Sequence, residues 1–119
     1  MTNTAKARGT NAESAVVTYL QGRGWPHAER RALAGGKDKG DVAGIYGIAG
    51  TVVIEVKARK ALAVPAWLRE AADERINAGA AVGLVVSKPV GVGATRVQDW
   101  HCHMTVATMC DLLEQAGYR

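Results

Sequence analysis

The stretch that decides the fold is GDVAGIYGIAGTVVIEVKARK, residues 40–60. It begins with a glycine and an acid, continues through an apolar segment and a GIAG turn, and returns as a segment rich in β-branched residues. This pattern predicts a β-hairpin with strands at residues 41–46 and 51–58. The second strand is unusual because it carries charge, at Glu55 and Lys57, inside an otherwise apolar run.

Side chains alternate along a strand, so Glu55 and Lys57 share one face of the predicted hairpin. If the turn is an odd loop centred on Ile48, Asp41 lies opposite Glu55, with the two Cβ atoms about 5 Å apart. Two carboxylates at that distance repel each other unless a cation lies between them. The pattern therefore predicts a site for a hard divalent ion.

Mg²⁺ fits that site because it takes oxygen ligands, often one or two carboxylates completed by water and phosphate oxygens; Mn²⁺ is the expected substitute. Asp41 and Glu55 are the predicted ligands. Lys57 is predicted to orient the attacking hydroxide and to stabilise the charge that develops on a phosphate. The competing interpretation is that Glu55 and Lys57 are exposed strand residues and that Asp41 caps a turn.

The remaining segments predict a sheet flanked by helices. A helix is expected at residues 10–21, with Val16, Val17 and Leu20 facing inward, and a second helix is expected after Pro65. Further strands are expected at residues 27–33, 81–87 and 100–104, and a last helix at 106–116 with Thr105 as its N-cap. The predicted fold class is α/β, with a mixed β-sheet.

The length of 119 residues predicts one domain with a single core. No segment approaches the roughly 18 continuous apolar residues that a membrane span needs. The polar start of the chain and the presence of only two cysteines predict a reducing, cytoplasmic location.

The positive charge is concentrated in the first half of the chain. Residues 1–60 carry ten Lys and Arg against five Asp and Glu, whereas residues 61–119 carry five against six. The basic residues cluster in a pattern typical of a surface that neutralises phosphates, although a solvated face has the same composition. The predicted DNA-binding residues are Lys6, Arg8, Arg30, Arg31, Lys37, Lys39, Arg59 and Lys60.

The GD and IEVK motifs across a hairpin resemble the (P)D-(D/E)-x-K core of the restriction-endonuclease-like nucleases. The preceding KARGTNAESAVVTYLQGRGW, and EVKARK followed by a helix and AVGLVVS, are similar to the archaeal-type Holliday junction resolvases, which also occur in phages. The similarity spans most of residues 5–90. It implies a restriction-endonuclease-like fold and a single nuclease domain over residues 1–119.

The resemblance also implies roles for particular residues. Glu13, on the first helix, would join Asp41 and Glu55 at the metal, and Lys57 would be catalytic. Members of the resembled family act as homodimers that nick two opposed strands of a four-way DNA junction. One alternative is a nuclease of other DNA preference, for restriction or repair, whose core would look the same in sequence. The other is a non-cleaving DNA-binding module of the same fold, against which the four intact motif residues argue.

Three features of the sequence complicate this assignment. Gly40 stands where the superfamily often has proline, and the loop before it lacks the serine expected of close relatives. Glu13 also stands three residues after Thr10, which is the spacing of a helix-capping box and gives its carboxylate a rival structural role.

The C-terminal segment is less informative. His101 and His103 would share one side of a strand, with Cys102 and Cys110 nearby, but the spacing is not that of a known zinc site. A dimer face is expected either around Trp67 and Leu68 or on the last helix.

Overall fold

The computed structural model describes residues 4–32 and 36–119. Within these ranges the chain forms a five-stranded sheet and three α-helices. In chain order the elements are α1 (Thr4–Gly22), β1 (Glu29–Arg30), β2 (Val42–Gly47), β3 (Gly50–Lys57), α2 (Val64–Ala78), β4 (Val82–Ser87), a short 3₁₀ helix (Val97–Asp99), β5 (His101–His103) and α3 (Val106–Gln115).

The strands lie in the sheet in their sequence order, from β1 at one edge to β5 at the other. The β3–β4 pair is parallel and the other three pairs are antiparallel. A parallel pair needs a crossover connection, and α2 supplies it. The predicted mixed sheet flanked by helices is therefore confirmed.

The two faces of the sheet bury different helices. On one face, Ala12 and Val16 of α1 pack with Val42, Ile54 and Val56. On the other, Trp67 and Ala71 of α2 pack with Val85. Because side chains alternate along β3, Glu55 and Lys57 point to the α2 face, whereas Ile54 and Val56 point to α1.

The register of the hairpin changes partway along. Near the turn, Tyr46 pairs with Thr51 and Ile45 with Val52, so Ile48 and Ala49 form a two-residue turn. Carried on unchanged, this register would place Asp41 opposite Val56. A β-bulge shifts it, and beyond the bulge Val42 pairs with Ile54. The predicted odd turn is therefore wrong, and the bulge produces the predicted approach of Asp41 to Glu55.

Gly44 makes this bulge possible. Its φ is +88°, and a Cβ at this position would coincide with the carbonyl oxygen of His27. Residue 44 must therefore be glycine for both conformational and steric reasons.

Other boundaries differ from the predictions in instructive ways. Helix α1 begins at Thr4, so Thr10 lies inside it and the predicted cap at Thr10 is wrong. The strand predicted at residues 27–33 is reduced to β1, and residues 33–35 lie outside the described part of the chain. At α3, Thr105 is the N-cap as predicted, and its hydroxyl accepts a hydrogen bond from the Thr108 N–H at 3.2 Å.

Candidate active site

Asp41 is held at the start of β2 by two contacts with β3. Its backbone N–H donates to the Ile54 carbonyl at 3.0 Å, and its Oδ2 accepts from the Val56 N–H at 2.8 Å. The hydrogen bond to Val56 fixes the Asp41 carboxylate beside Glu55, the preceding residue of β3. The proximity expected from the sequence is present.

The residue before Asp41 explains the missing proline. Gly40 has a φ of +94°, whereas a proline ring restricts φ to about −65°. A proline at position 40 would therefore change the path by which the loop enters β2.

The loop before Gly40 contributes a further acid, Asp38, that the sequence analysis did not select. Asp38 Oδ1 accepts a hydrogen bond from the Gly40 N–H at 2.9 Å. Its carbonyl oxygen accepts from Asn77 Nδ2 of α2 at 2.7 Å. The loop is thus attached to the helix that covers this face of the sheet.

Lys57 bridges two acids. Its Nζ lies 3.1 Å from Glu55 Oε2 and 3.0 Å from Glu70 Oε2 of α2. Burial opposes the charged amine, but the neighbouring Glu70 and Glu55 carboxylates outweigh it and raise the pKa of Lys57. Lys57 is therefore a cation at neutral pH, aimed at the carboxylates.

Glu74 is the most unusual residue of the site. It is 2% exposed, and neither carboxylate oxygen has a hydrogen-bond partner within residues 4–32 and 36–119. Glu55, at 6% exposed, likewise has an unpartnered Oε1 in that part of the chain. A buried carboxylate without a partner costs several kcal/mol if charged, so it must be either protonated or matched by a cation.

Three acids meet at this point. Asp38, Glu55 and Glu74 each place a carboxylate oxygen within 4.8 Å of the others. Their all-oxygen chemistry fits a hard cation such as Mg²⁺ or Mn²⁺, and the orphaned oxygens of Glu55 and Glu74 are ready ligands. This acidic triad could hold a metal ion, and of the three ligands predicted from the sequence it contains Glu55.

The pKa values reflect the same crowding. Burial is the main cause that raises the pKa of Glu74 to about 7, with the Asp38 and Asp41 charges adding to it. Burial likewise raises the pKa of Asp41 to about 7, and the Glu55 charge contributes to that increase. The pKa of Glu55 is also raised, first by burial and then by Glu74. Three neighbouring carboxyls with raised pKa values are typical of functional sites, and a nearby cation would favour their charged forms.

Glu13 lies at the edge of this group. Its Oε1 accepts from Arg30 Nε at 3.2 Å. Burial and the charge of Asp41 raise the pKa of Glu13, whereas Arg30 lowers it. Because Thr10 is not an N-cap, the proposed capping box does not compete for the Glu13 carboxylate.

The eight predicted DNA-binding cations line two clefts. The first cleft, of about 510 Å³, contains Glu13, Asp38 and Asp41 together with the cations Lys6, Arg30, Arg31, Lys37 and Lys39. The other three, Arg8, Arg59 and Lys60, line a second cleft of about 380 Å³. Five of the cations thus surround the acids.

Asp38 and Glu74 were missed for different reasons. Asp38 stands in a polar, glycine-rich loop, where no periodicity indicates which side chain points inward. Glu74 lies on the buried stripe of α2 formed by Trp67, Ala71 and Glu74. An acid spaced three residues from Ala71 and seven from Trp67 is the signal that could have identified it.

The C-terminal residues have other contacts. His103 Nε2 lies 2.8 Å from Ser87 Oγ, and its ring packs edge-on against Trp67.

Trp67 is 3% exposed, so the prediction that it forms a dimer face is wrong: it belongs to the core. Among the described residues, His101, Cys102, His103 and Cys110 do not form a metal-ligand group.

Comparison with known proteins supports the fold. No protein-family model matches the sequence, and no curated protein matches it significantly. The structure is similar to that of Hjc from Archaeoglobus fulgidus, described as a Holliday junction resolvase from an archaeal hyperthermophile, with a TM-score of 0.53. The sequences are 22% identical, and the match covers 80% of this chain and 75% of Hjc. At this identity the likeness shows a shared fold.

No helix within residues 4–32 and 36–119 combines the length and apolar character that crossing a bilayer requires.

Proposed function

We propose that this chain is a DNA endonuclease that depends on a divalent metal ion and acts at four-way junctions. The observation that carries the proposal is the buried pair of carboxylates of Glu55 and Glu74, which lies beside Asp41 and Lys57. Three of the four oxygens of this pair have no hydrogen-bond partner among the described residues. The fold shared with a junction resolvase and the cation-lined cleft support the choice of DNA as substrate.

Glu55, Glu74 and Asp38 would hold the metal ion, and Asp41 would complete its ligands from the adjoining strand. When bound, a divalent ion supplies Lewis-acid stabilisation of a phosphate and lowers the pKa of water. Glu13 remains a candidate ligand because it shares the cleft with Asp41.

Lys57 has the position and the charge to act on the phosphate whose P–O bond is hydrolysed. Hydrolysis adds water across one P–O bond, which leaves a phosphate on one fragment and a hydroxyl on the other. The ammonium of Lys57 would orient the attacking oxygen and offset the negative charge that develops on the phosphate. Glu70, whose side chain is 46% exposed, holds this ammonium in place at the edge of the site.

Arg30, Arg31, Lys37 and Lys39 would bind the phosphates that flank the scissile bond. A four-way junction has two-fold-related strands, so a homodimer with C₂ symmetry would present two identical sites to it. The remaining candidate for the dimer face is α3, whose Val106, Met109 and Leu113 are exposed.

A cleavage assay tests the proposal. With Mg²⁺ or Mn²⁺, the protein should introduce paired nicks in opposed strands of a junction and leave a matched linear duplex nearly intact. Glu55→Gln should abolish cleavage, whereas Asp73→Asn, which removes an exposed acid on α2, should not. Equal cutting of junction and linear DNA would favour a nuclease of other DNA preference, and binding without cleavage would favour a DNA-binding module.

A further inference from the structure

The second cleft is separate from the acidic triad. It opens beyond the carboxyl ends of the parallel strands β3 and β4, next to the first half of α1. Four cations border it: Arg8 from α1, Arg59 and Lys60 after β3, and Lys88 after β4. None of the described residues that line it is acidic.

The four cations are not neutralised from within the described chain. Across residues 4–32 and 36–119, their side chains have no hydrogen-bond or ion-pair partner. In contrast, Arg30 in the first cleft is paired with Glu13. Cations that converge on one concave surface without a counter-charge favour an anion there.

The walls of the cleft are apolar. Trp100 is 7% exposed, and its Nε1 already donates to the Gly93 carbonyl at 3.1 Å, so its ring contributes apolar surface to the cleft. Val90 is 73% exposed on the rim, and Pro89 and Ala94 complete this side. An inorganic anion would leave this surface bare, whereas an anion with an attached aromatic ring would cover it.

The cleft adjoins the proposed catalytic strand. Ala58, which lines it, follows Lys57 directly. The Lys88 N–H donates to the Lys57 carbonyl at 2.9 Å. The second cleft therefore begins one residue beyond the proposed catalytic lysine, at the end of β3.

We propose that this cleft binds one unpaired nucleotide of the DNA strand, an inference that rests on the proposed function. Its phosphates would contact Arg8, Arg59, Lys60 and Lys88, and its base would lie against the apolar wall near Trp100 and Val90. Displaced bases are commonly held in this way, by cations along the backbone and apolar or aromatic surface beneath the ring.

The first experiment is a titration without metal, in EDTA, with deoxyadenosine monophosphate, deoxyadenosine and inorganic phosphate as probes, followed by NMR. The mononucleotide should bind more tightly than either fragment and shift the amide resonances of Val90, Gly91 and Ala94. Lys88→Ala should weaken it about tenfold, since the substitution removes a charged hydrogen-bond donor to the phosphate. Ala94→Trp, which fills the apolar side, should also weaken it, whereas Thr95→Trp should not.

If inorganic phosphate binds as tightly as the mononucleotide, or if Ala94→Trp leaves nucleotide affinity unchanged, the cleft recognises charge alone and the proposal fails. A second experiment asks whether the nucleotide belongs to DNA. A single abasic residue is moved through the branch of a four-way junction, and affinity is again measured in EDTA.

At one position, removal of the base should weaken binding of the junction to the wild type and to Thr95→Trp. It should not weaken binding of the junction to Ala94→Trp, in which the apolar side of the cleft is already filled. No effect at any position, combined with mononucleotide binding, would make the ligand a free nucleotide and overturn the DNA form of the proposal. Both readouts are independent of cleavage. A failure of the nuclease assignment, detected by the Glu55→Gln cleavage assay, would therefore be distinguishable from a failure of this inference.

Discussion

The carbonyl oxygen of His27 occupies the space in which a Cβ on residue 44 would stand. This contact between the loop before β1 and the bulge of β2 leaves room only for glycine, which also tolerates the φ of +88° found there. The bulge sets the register that brings Asp41 to Glu55. Gly44 therefore has a role in the site although it carries no functional group.

Gly44→Ala should destabilise the fold by at least about 2 kcal/mol, because it adds backbone strain to a steric conflict. It should also weaken divalent-metal binding, since the register at Asp41 depends on the bulge. Gly47→Ala is the matched control, because a Cβ there meets only the Gly50 carbonyl oxygen at 3.9 Å. Thermal unfolding and calorimetric Mn²⁺ titration measure both effects. Equal stability of the two variants would remove the role assigned to Gly44.

Glu74 should be required for metal binding. Glu74→Gln keeps the shape of the side chain but removes the charge, so Mn²⁺ affinity should fall at least about tenfold. The protein itself should be no less stable without metal, because an unpartnered buried acid is replaced by a neutral amide. Asp73→Asn, on the exposed side of the same helix, is the control. Unchanged Mn²⁺ affinity in Glu74→Gln would exclude Glu74 from the ligand set.

Glu55, Glu74 and Asp41 should make the metal-free protein less stable as the pH rises. The pKa values of Glu74 and Asp41 are raised to about 7, above the values near 4 that carboxyls have in the unfolded chain. Between these values the native state binds more protons than the unfolded state. The free energy of unfolding therefore falls with increasing pH, by at most about 1.4 kcal/mol per pH unit for each carboxyl.

Urea unfolding in EDTA at pH 5 and pH 8 measures this loss. Glu74→Gln should reduce the difference between the two pH values. Added Mg²⁺ or Mn²⁺ should stabilise the protein more at pH 8 than at pH 5, because the ion needs deprotonated ligands. A stability that increases from pH 5 to pH 8 in EDTA would contradict the raised pKa values.

The cations of the first cleft should set the salt dependence of DNA binding. Replacement of Arg30, Arg31, Lys37 and Lys39 by alanine should weaken junction binding. The slope of log K against log salt should fall by about one for each phosphate that is no longer neutralised. Arg69→Ala, on the exposed surface of α2 and outside both clefts, should leave the slope unchanged. An unaltered slope in the fourfold variant would mean that DNA binds elsewhere.

Helix α3 should mediate dimer formation. Leu113→Asp places a charge among the exposed apolar residues Val106 and Met109 and should convert a dimer into a monomer in light scattering. Ala107→Asp places the same charge on an exposed residue of α3 outside this apolar group and should leave the dimer intact. A wild-type protein that is monomeric at working concentration would contradict this assignment and remove the symmetric basis for paired nicking.

The sequence predicted the structure best where the direction of the side chains repeats over a few neighbouring residues. The alternation of β3 correctly placed Glu55 and Lys57 on one face, because a strand of eight residues has a strict two-residue repeat. The predicted start of α1 lies six residues after the observed one, and no acidic residue stands in the first turn of the helix to mark it. Thr10 offered a capping pattern in the interior of a helix instead.

The position of Asp41 illustrates a prediction that was correct for an incorrect reason. An odd turn was assumed, whereas the turn is even and a bulge corrects the register. On α2, apolar character and burial do not coincide: Ile76 is 65% exposed, whereas Glu74, which was overlooked, is 2% exposed. The apolar residues of α2 alone therefore do not predict which face of the helix is buried, because its contact with the sheet decides this.

The bulge also separates the two ends of the hairpin. Between the bulge and the turn at Ile48 and Ala49, three residue pairs keep one register. The carboxylates of Asp41 and Glu55 lie on the other side of the bulge. The tip is fully solvent-exposed at Ile48, and none of the acids is among the described residues that line the cleft beside it. Two or more residues inserted between Ile48 and Ala49 would lengthen the loop at a modest entropic cost and leave the pairing at Val42 in place. The hairpin tip is thus a natural attachment point for a reporter or tether that leaves the chemistry undisturbed.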